Sequence, residues 1–342
     1  MKHVLVARLD SAGDVLLTGP AVRAVAGTAD KVTFLAGPRG AGAARLLPGV
    51  DDVIEFQAGW VDFDAPAVTR PVVDELLADI AAAAPTAALI FTSFHQSPLP
   101  LALLLRMAGV DWIAAISTDY PGSLLDVRLR LDEDRPEQLR NLALAEAAGC
   151  AGDGDRLRIR EDDLPDVTAL TGGPGYVVVH PGAAVPARRP STARTTAHVA
   201  ALVRAGYRVL VTGGPDERTA TVADGLATDL GGRTDLATLA AVLRDADVVV
   251  APNTGPAHLA AAVGTPVVSL FAPVVPARRW APYGVPVIVL GDQSAPCADT
   301  RARRCPIPGH PCLDGIESSQ VVEAVGRLCD DQGLTVETRR PA

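Results

Sequence analysis

Short apolar runs alternate with stretches of helical period along most of the chain. In the first half HVLVAR (3–8), KVTFLA (31–36), DVIEF (52–56), AALIFT (87–92) and WIAAIS (112–117) predict strands, with helices over 14–26, 39–47, 70–84, 98–109 and 135–149 between and after them. Near-continuous apolar strands separated by helices are the pattern of a parallel sheet covered on both faces. The polar, turn-rich stretch RIREDDLPDVTALTGGPG (158–175) interrupts the rhythm. It resumes with strands over 176–182, 207–215, 246–256, 265–273 and 285–290 and helices over 194–205, 216–229, 236–244 and 255–263. The pattern predicts two Rossmann-like α/β domains, residues 1–160 and 176–330, joined by a linker over 161–175 and followed by a tail over 331–342. Open α/β sheets bind ligands outside the C-terminal ends of their strands. The loops HPG (180–182), TGGP (212–215), NTGP (253–256) and FAP (271–273) are therefore the candidate site of the second domain. With the two sheets facing each other across a cleft, the loop after the first strand would stand opposite them.

Composition narrows the partners more than the fold. A length of 342 residues with 48% hydrophobic residues suffices for two cores. The formal charge of −9 argues against nucleic acid, whose phosphates need a basic surface. Lysine occurs only at Lys2 and Lys31 amid abundant Arg, Ala and Gly, a bias of the gene's base composition rather than of chemistry. No signal-peptide core opens the chain, and Arg106 and Asp111 interrupt the apolar stretch from Leu99 to Ile116. The expectation is a cytoplasmic monomer that meets a membrane surface only through its acceptor. Five cysteines suit reduced thiols better than a disulfide framework.

Candidate chemistry begins at LDSAGDVLLTGP (9–20), where an apolar strand runs into a loop with one glycine and then Asp14 on the first turn of a helix. Arg8 and Gly13 flank this turn. Such a carboxylate serves acid–base work or merely complements the helix dipole, and spacing alone leaves both open. In NTGPAHL, Thr254 and Gly255 open a helix whose positive end suits a phosphate, and His258 follows about one turn later, as a phosphate partner or as a satisfied core histidine. His95 and Gln96 in TSFHQSPLP (92–100) stand at a strand's end and read as ordinary loop polars as well as acceptor contacts. The D-x-D strings at 132–134, 153–155 and 245–247 are expected by chance in an acidic chain. Cys297, Cys305, His310 and Cys312 could form a Cys₃His zinc site, but they lack the paired C-x₂₋₄-C knuckle, so free thiols and no metal are the reading kept. Walker, G-x-G-x-x-G and G-x-S-x-G signatures are absent from the sequence.

RLDSAGDVLLTGPAVRAV (8–25), VVVHPGA (177–183), VLVTGGPDE (209–217), the segment from Leu230 to Pro273 around APNTGPAHLAAAVG, and RRWAPYG (278–284) resemble, in order, the motifs of glycosyltransferase family 9. This is the family of ADP-heptose:lipopolysaccharide heptosyltransferases. The resemblance implies the GT-B fold, with the acceptor in the N-terminal domain and the donor in the C-terminal one. It also implies inverting transfer with no metal and no cofactor. The donor would be a nucleotide-diphosphate sugar, ADP-heptose favoured, and the acceptor a saccharide, glycolipid or small metabolite. Asp14 matches the general base. Thr254, Gly255 and His258 match the diphosphate site, and Glu217, beside Gly213, matches a ribose contact. Arg188 or Arg189 stands where the family has a phosphate-binding lysine, with Pro190 where it has a tryptophan. Asn253 departs from the family's usual aspartate, which puts the sugar's identity in doubt. Two other readings share the architecture: a sugar-nucleotide epimerase or hydrolase, and an inactive nucleotide-sugar-binding protein. Retention of Asp14 speaks against the second, since binding alone needs no base.

Overall fold

β1 (His3–Arg8) is apolar between its first and last residues, and Val4, Leu5, Val6 and Ala7 are fully buried. A strand without polar alternation needs cover on both faces and neighbours on both edges. It has them: Val6 pairs with Phe34 of β2 (Lys31–Ala36) on one side and with Leu89 of β4 (Ala87–Ile90) on the other, both parallel. β3 (Asp52–Glu55), β5 (Trp112–Ile116) and β6 (Val127–Leu129) complete a six-stranded parallel sheet in the order β3-β2-β1-β4-β5-β6.

The second sheet repeats that order. It is built from β7 (Val177–Val179), β8 (Val209–Val211), β9 (Thr228–Asp229), β10 (Val248–Pro252), β11 (Val267–Leu270) and β12 (Val287–Leu290), arranged β12-β11-β10-β7-β8-β9. Each sheet has its switch of strand order between its first and fourth strands, which places a binding crevice at the C-terminal ends of β1 and β4, and of β7 and β10. This computed structural model describes residues 2–61, 65–131, 134–331 and 333. The chain divides into two compact units, Met1–Arg160 and Glu161–Ala342. Apart from Asp331 and Gly333, the expected tail lies outside the described residues, as do Asp132 and Glu133 of the first D-x-D string.

Several expected elements differ. The helix over 14–26 is two helices, Ala12–Leu16 and Gly19–Ala26. Thr18 Oγ1 donates back to the Val15 carbonyl at 2.7 Å, and Pro20 has no N–H to continue the ladder. The helix over 216–229 shrinks to Thr219–Ala223, because Asp224 (φ 48°) and Gly225 (φ 67°) adopt left-handed conformations and release the chain into β9. β6 and β9 are edge strands of three and two residues, too short for an apolar run to announce. Helix Ser318–Asp330 was also not expected, although Val321, Ala324, Val325 and Leu328 repeat at helical spacing and are buried. It packs on helix Thr192–Arg204. Among the described residues, no helix is long and apolar enough to cross a membrane.

Candidate active site

Arg8 is the last residue of β1, and its side chain is fully buried. A buried guanidinium must be paired, and this one meets three carboxylates. Its Nη2 lies 3.0 Å from Asp10 Oδ2 and donates to Asp14 Oδ1 at 3.2 Å, while Nη1 donates to Glu137 Oε1 at 3.5 Å. Nη2 also donates to Ser93 Oγ at 2.8 Å, and that hydroxyl donates to Asp10 Oδ2 at 3.0 Å. Gln96 closes the ring: its Nε2 donates to Asp10 Oδ1 at 3.1 Å, and its Oε1 accepts from the Ser93 N–H at 3.1 Å. Behind Glu137, Arg140 Nη1 donates to Glu137 Oε1 (3.4 Å) and to the Thr92 carbonyl (3.0 Å).

Asp14 stands on the third residue of helix Ala12–Leu16, entered through Ser11. Its Oδ2 accepts from the Ser11 N–H (3.3 Å) and from Ser11 Oγ (2.6 Å), so both carboxylate oxygens are anchored while the side chain stays 21% exposed. A fixed, partly exposed carboxylate at a strand's C-terminal end can accept a proton from a bound hydroxyl. Burial raises the carboxyls of Asp10 and Glu137 above their ordinary range even though Arg8 opposes it. Burial alone would lower Arg8, but Asp10, Asp14 and Glu137 outweigh it and hold the guanidinium charged. Gly13 is buried within the same turn. His95 is exposed, its ring edge-on to Phe94 at 5.5 Å.

In the second unit the HPG loop after β7 and the TGGP loop after β8 meet. His180 Nδ1 is 3.2 Å from Thr212 Oγ1, and its Nε2 is 3.6 Å from Glu217 Oε2. Glu217 precedes helix Thr219–Ala223 and turns back so that Oε2 accepts the Gly214 N–H at 2.8 Å. Glu217 takes the space a side chain at 182 would fill: a Cβ on Gly182 would lie 1.7 Å from Glu217 Oε1, and one on Gly213 would lie 2.8 Å from Oε2. Burial holds His180 below its ordinary value although Glu217 pulls the other way, so the imidazole is neutral at pH 7.

After β10, Asn253 is buried and its Nδ2 has no hydrogen-bond partner among the described residues. Thr254 is extended (φ −154°, ψ 166°) and starts helix Gly255–Ala262, in whose first turn His258 is buried. The helix's positive end and a buried amide donor thus share one edge with His180 and Glu217, an arrangement suited to an anionic, hydroxyl-bearing ligand. Arg188 ends the 3₁₀ turn Pro186–Arg188, Arg189 follows in extended conformation, and both are half-buried.

Asp153 pairs with Arg23 at 2.8 Å, and Asp245 with Arg244 at 2.8 Å, so both D-x-D strings that can be described serve local structure. Cys297 and Cys312 are buried in the core of the second unit, Cys305 Sγ donates to the Ile307 carbonyl, and His310 Nε2 donates to the Ala187 carbonyl. Among the described residues these side chains do not gather into a group placed to hold a metal ion. Burial, reinforced by Cys297 and Cys305, pushes the Cys312 thiol up to about 11.

Sequence reasoning missed Asp10, Ser93, Glu137, Arg140 and His180 as site residues. Two carried a signal: Asp10 follows Arg8 just past the C-terminal end of an apolar strand, and His180 sits in a loop already marked as a strand end. Glu137 and Arg140 carried none, because an i, i+3 charge pair ordinarily marks a solvated helix face.

Residues 102–310 match glycosyltransferase family 9 (heptosyltransferase). Lipopolysaccharide heptosyltransferase 3 of Escherichia coli is 30% identical over 167 residues, 46% of this chain and 47% of that one, so the chain spans about half the length of this relative. Among solved structures, a family 9 glycosyl transferase from Veillonella parvula superposes with a TM-score of 0.76 at 19% identity, covering 96% of this chain and 97% of that one. The ADP-heptose lps heptosyltransferase II of E. coli superposes at 0.73 with 18% identity, covering 97% and 100%. These likenesses give the two six-stranded parallel sheets their place in the GT-B fold. With more than half its length inside the family match, the chain belongs to glycosyltransferase family 9 (heptosyltransferase).

Proposed function

We propose that the chain transfers a heptosyl group from ADP-heptose to a hydroxyl of a saccharide, glycolipid or small-metabolite acceptor, with inversion at the anomeric carbon and without a metal. The observation that carries this reading is Asp14, anchored through both oxygens by Ser11 and Arg8 yet still partly exposed. In the reaction the acceptor oxygen attacks the anomeric carbon and its proton passes to Asp14. The bond to the diphosphate breaks, and its electron pair leaves on the phosphate oxygen. A single displacement inverts the centre. The leaving charge is met by the N-terminus of helix Gly255–Ala262, by His258 and by Arg188 or Arg189. Glu217, beside Gly213, takes the ribose, and Asn253 takes a sugar hydroxyl. Residues 1–160 form the acceptor domain and 176–330 the donor domain. The protein acts as a cytoplasmic monomer and touches a membrane surface only through a lipid-borne acceptor.

ADP-heptose is the donor in the name of the E. coli structure, and family membership supports the same donor here. The test is ADP release from ADP-heptose with and without an acceptor extract. Asp14→Asn is expected to lower acceptor-dependent release by about 10²–10⁴ while leaving the Kd for ADP unchanged. Release should continue in excess EDTA, because side chains and a helix terminus carry the phosphate charge. Wild-type turnover by Asp14→Asn would remove Asp14 as the base. Equal release without acceptor would favour a hydrolase.

A further inference from the structure

Helix Glu137–Ala147 turns polar residues inward where an amphipathic helix would place apolar ones. Glu137 and Asn141 are fully buried, and Gln138 between them is 1% exposed. Glu137 and Asn141 stand about one turn apart on the same face of the helix. Burying such groups is unfavourable unless they are hydrogen-bonded, so their partners account for the face.

Both bonds lead to one short helix. Glu137 Oε1 accepts from Arg8 Nη1 at 3.5 Å, and Arg8 Nη2 donates to Asp14 Oδ1 at 3.2 Å. One turn later, Asn141 Nδ2 donates to the Leu17 carbonyl at 3.0 Å. Leu17 is buried and caps helix Ala12–Leu16, of which Asp14 is the third residue. Carbonyls at a helix end lose their partners within the helix, and a buried one needs another. The helix itself has five residues, far below the roughly 12–15 at which an isolated helix holds together. Where Asp14 stands is therefore set by what fastens the ends of its helix. Gln138 provides the contrast: it is as deeply buried, yet neither polar atom of its side chain has a hydrogen-bond partner among the described residues.

We infer that Asn141 is a positioning residue for Asp14, holding the C-terminal end of helix Ala12–Leu16 while Glu137 steadies the Asp14 side chain through Arg8. The inference rests on the transferase reading in one respect, that Asp14 receives the proton of the acceptor hydroxyl. A base must lie within hydrogen-bond reach of that proton, and a misplacement of about 1 Å costs about 100-fold in rate. Asn141 is closed off from solvent and bonded to the Leu17 backbone, so its effect passes through the helix and not through contact with a substrate.

The test compares Asn141→Leu, which keeps the branched shape and removes the donor, with Gln138→Leu, both in the full chain. Without substrates, hydrogen exchange at the Val15, Leu17 and Thr18 amides, which bond within this turn, should rise about three- to tenfold in Asn141→Leu, the value of one hydrogen bond. The amides of β2 and β5 should keep their protection. With ADP-heptose and an acceptor extract, kcat should fall about tenfold or more, at an unchanged KM for ADP-heptose and an unchanged Kd for ADP. Gln138→Leu should move none of these. Where Asn141→Leu fails to fold, Asn141→Ser, too short to reach Leu17, is measured in its place with the same expectations. A purely structural Asn141 would lower the melting temperature and leave kcat intact. That result, unchanged exchange at the three amides, or the same changes in Gln138→Leu would each overturn the inference. A wild-type chain that transfers nothing, with the exchange response present, would overturn the transferase reading and leave Asn141 as the anchor of the helix that carries Asp14.

Discussion

The C-terminal ends of β1 and β7 occupy the same place in two sheets of identical strand order, and they meet solvent differently. β1 ends in Arg8, and the loops around it bring Asp10, Asp14, Glu137, Ser93 and Gln96 into a set of groups that largely satisfy one another. β7 runs into His180-Pro181-Gly182, where the missing side chain of Gly182 gives Glu217 its space and, at the nearby edge, Asn253 Nδ2 has no hydrogen-bond partner among the described residues. The topology supplies a crevice at both places. The residues at the strand end decide whether that crevice is filled by the protein's own charges or left receptive to a ligand.

Removing the cation at the centre of the first edge should have the largest effect on stability. Arg8→Met takes from Asp10, Asp14 and Glu137 the guanidinium they share, with Arg140 still bonded to Glu137, and breaking a buried ion pair costs about 3–5 kcal/mol. Urea unfolding at pH 8 measures it, and adding Glu137→Gln should recover part of the loss. The deficit should shrink toward pH 5.5. Burial raises Asp10 and Glu137 in the intact protein against the pull of Arg8; without Arg8 they rise further, so the variant's native state takes up protons that its unfolded chain has released and regains stability as pH falls. An equal deficit at both pH values would mean that the three carboxylates are not sharing Arg8.

The second unit should respond to acid with the opposite sign. His198 is buried, bonded through Nδ1 to Ser318 Oγ at 3.0 Å, and burial, with Arg194 beside it, lowers its pKa from 6.5 to about 4. The unfolded chain therefore takes up a proton that the native one refuses. Stability is lost progressively from the unfolded value downward, about 2 kcal/mol by pH 5. Hydrogen exchange at pH 7.5 and pH 5, corrected for the intrinsic rate, should show helices Thr192–Arg204 and Ser318–Asp330 losing protection while β1 and helix Glu137–Ala147 keep theirs. His198→Gln should abolish the difference. Uniform loss across both units would sink the contrast.

The central strands and the loops worth inspecting were legible in the sequence because long apolar runs with Gly/Pro stops have few alternative structures. What the sequence concealed was contact between distant segments. Ser93 and Glu137 reach Arg8 across 85 and 129 residues, and nothing local to either marks it as a partner of a buried arginine. The overlong helix at 216–229 failed for a different reason: composition permitted helix, but left-handed Arg218 (φ 53°) delays its start and the left-handed Asp224-Gly225 pair ends it. Gln96, open to reading as an acceptor contact or as an ordinary loop residue, is held by Asp10 and the Ser93 backbone. A polar residue in a strand-end loop is thus read correctly only once the neighbouring strand's own terminal charge is known.

The finest test of the comparison concerns Glu217, whose carboxylate is kept in place by an absent side chain. If the second edge stays receptive for a ribose, Glu217→Gln should weaken ADP binding by about three- to tenfold, the value of one hydrogen bond, and leave pyrophosphate binding unchanged. Gly182→Ala puts a Cβ where Glu217 Oε1 stands, at 1.7 Å, so it should displace the carboxylate and reproduce the same loss. The two changes remove one interaction by different routes and should not add when combined. Calorimetry of ADP on the two single variants and the double, with melting temperatures alongside, decides the matter. Lowered melting temperatures with unchanged ADP affinity would make Glu217 a support for the Gly214 and His180 loops, and the second edge would then be as self-satisfied as the first.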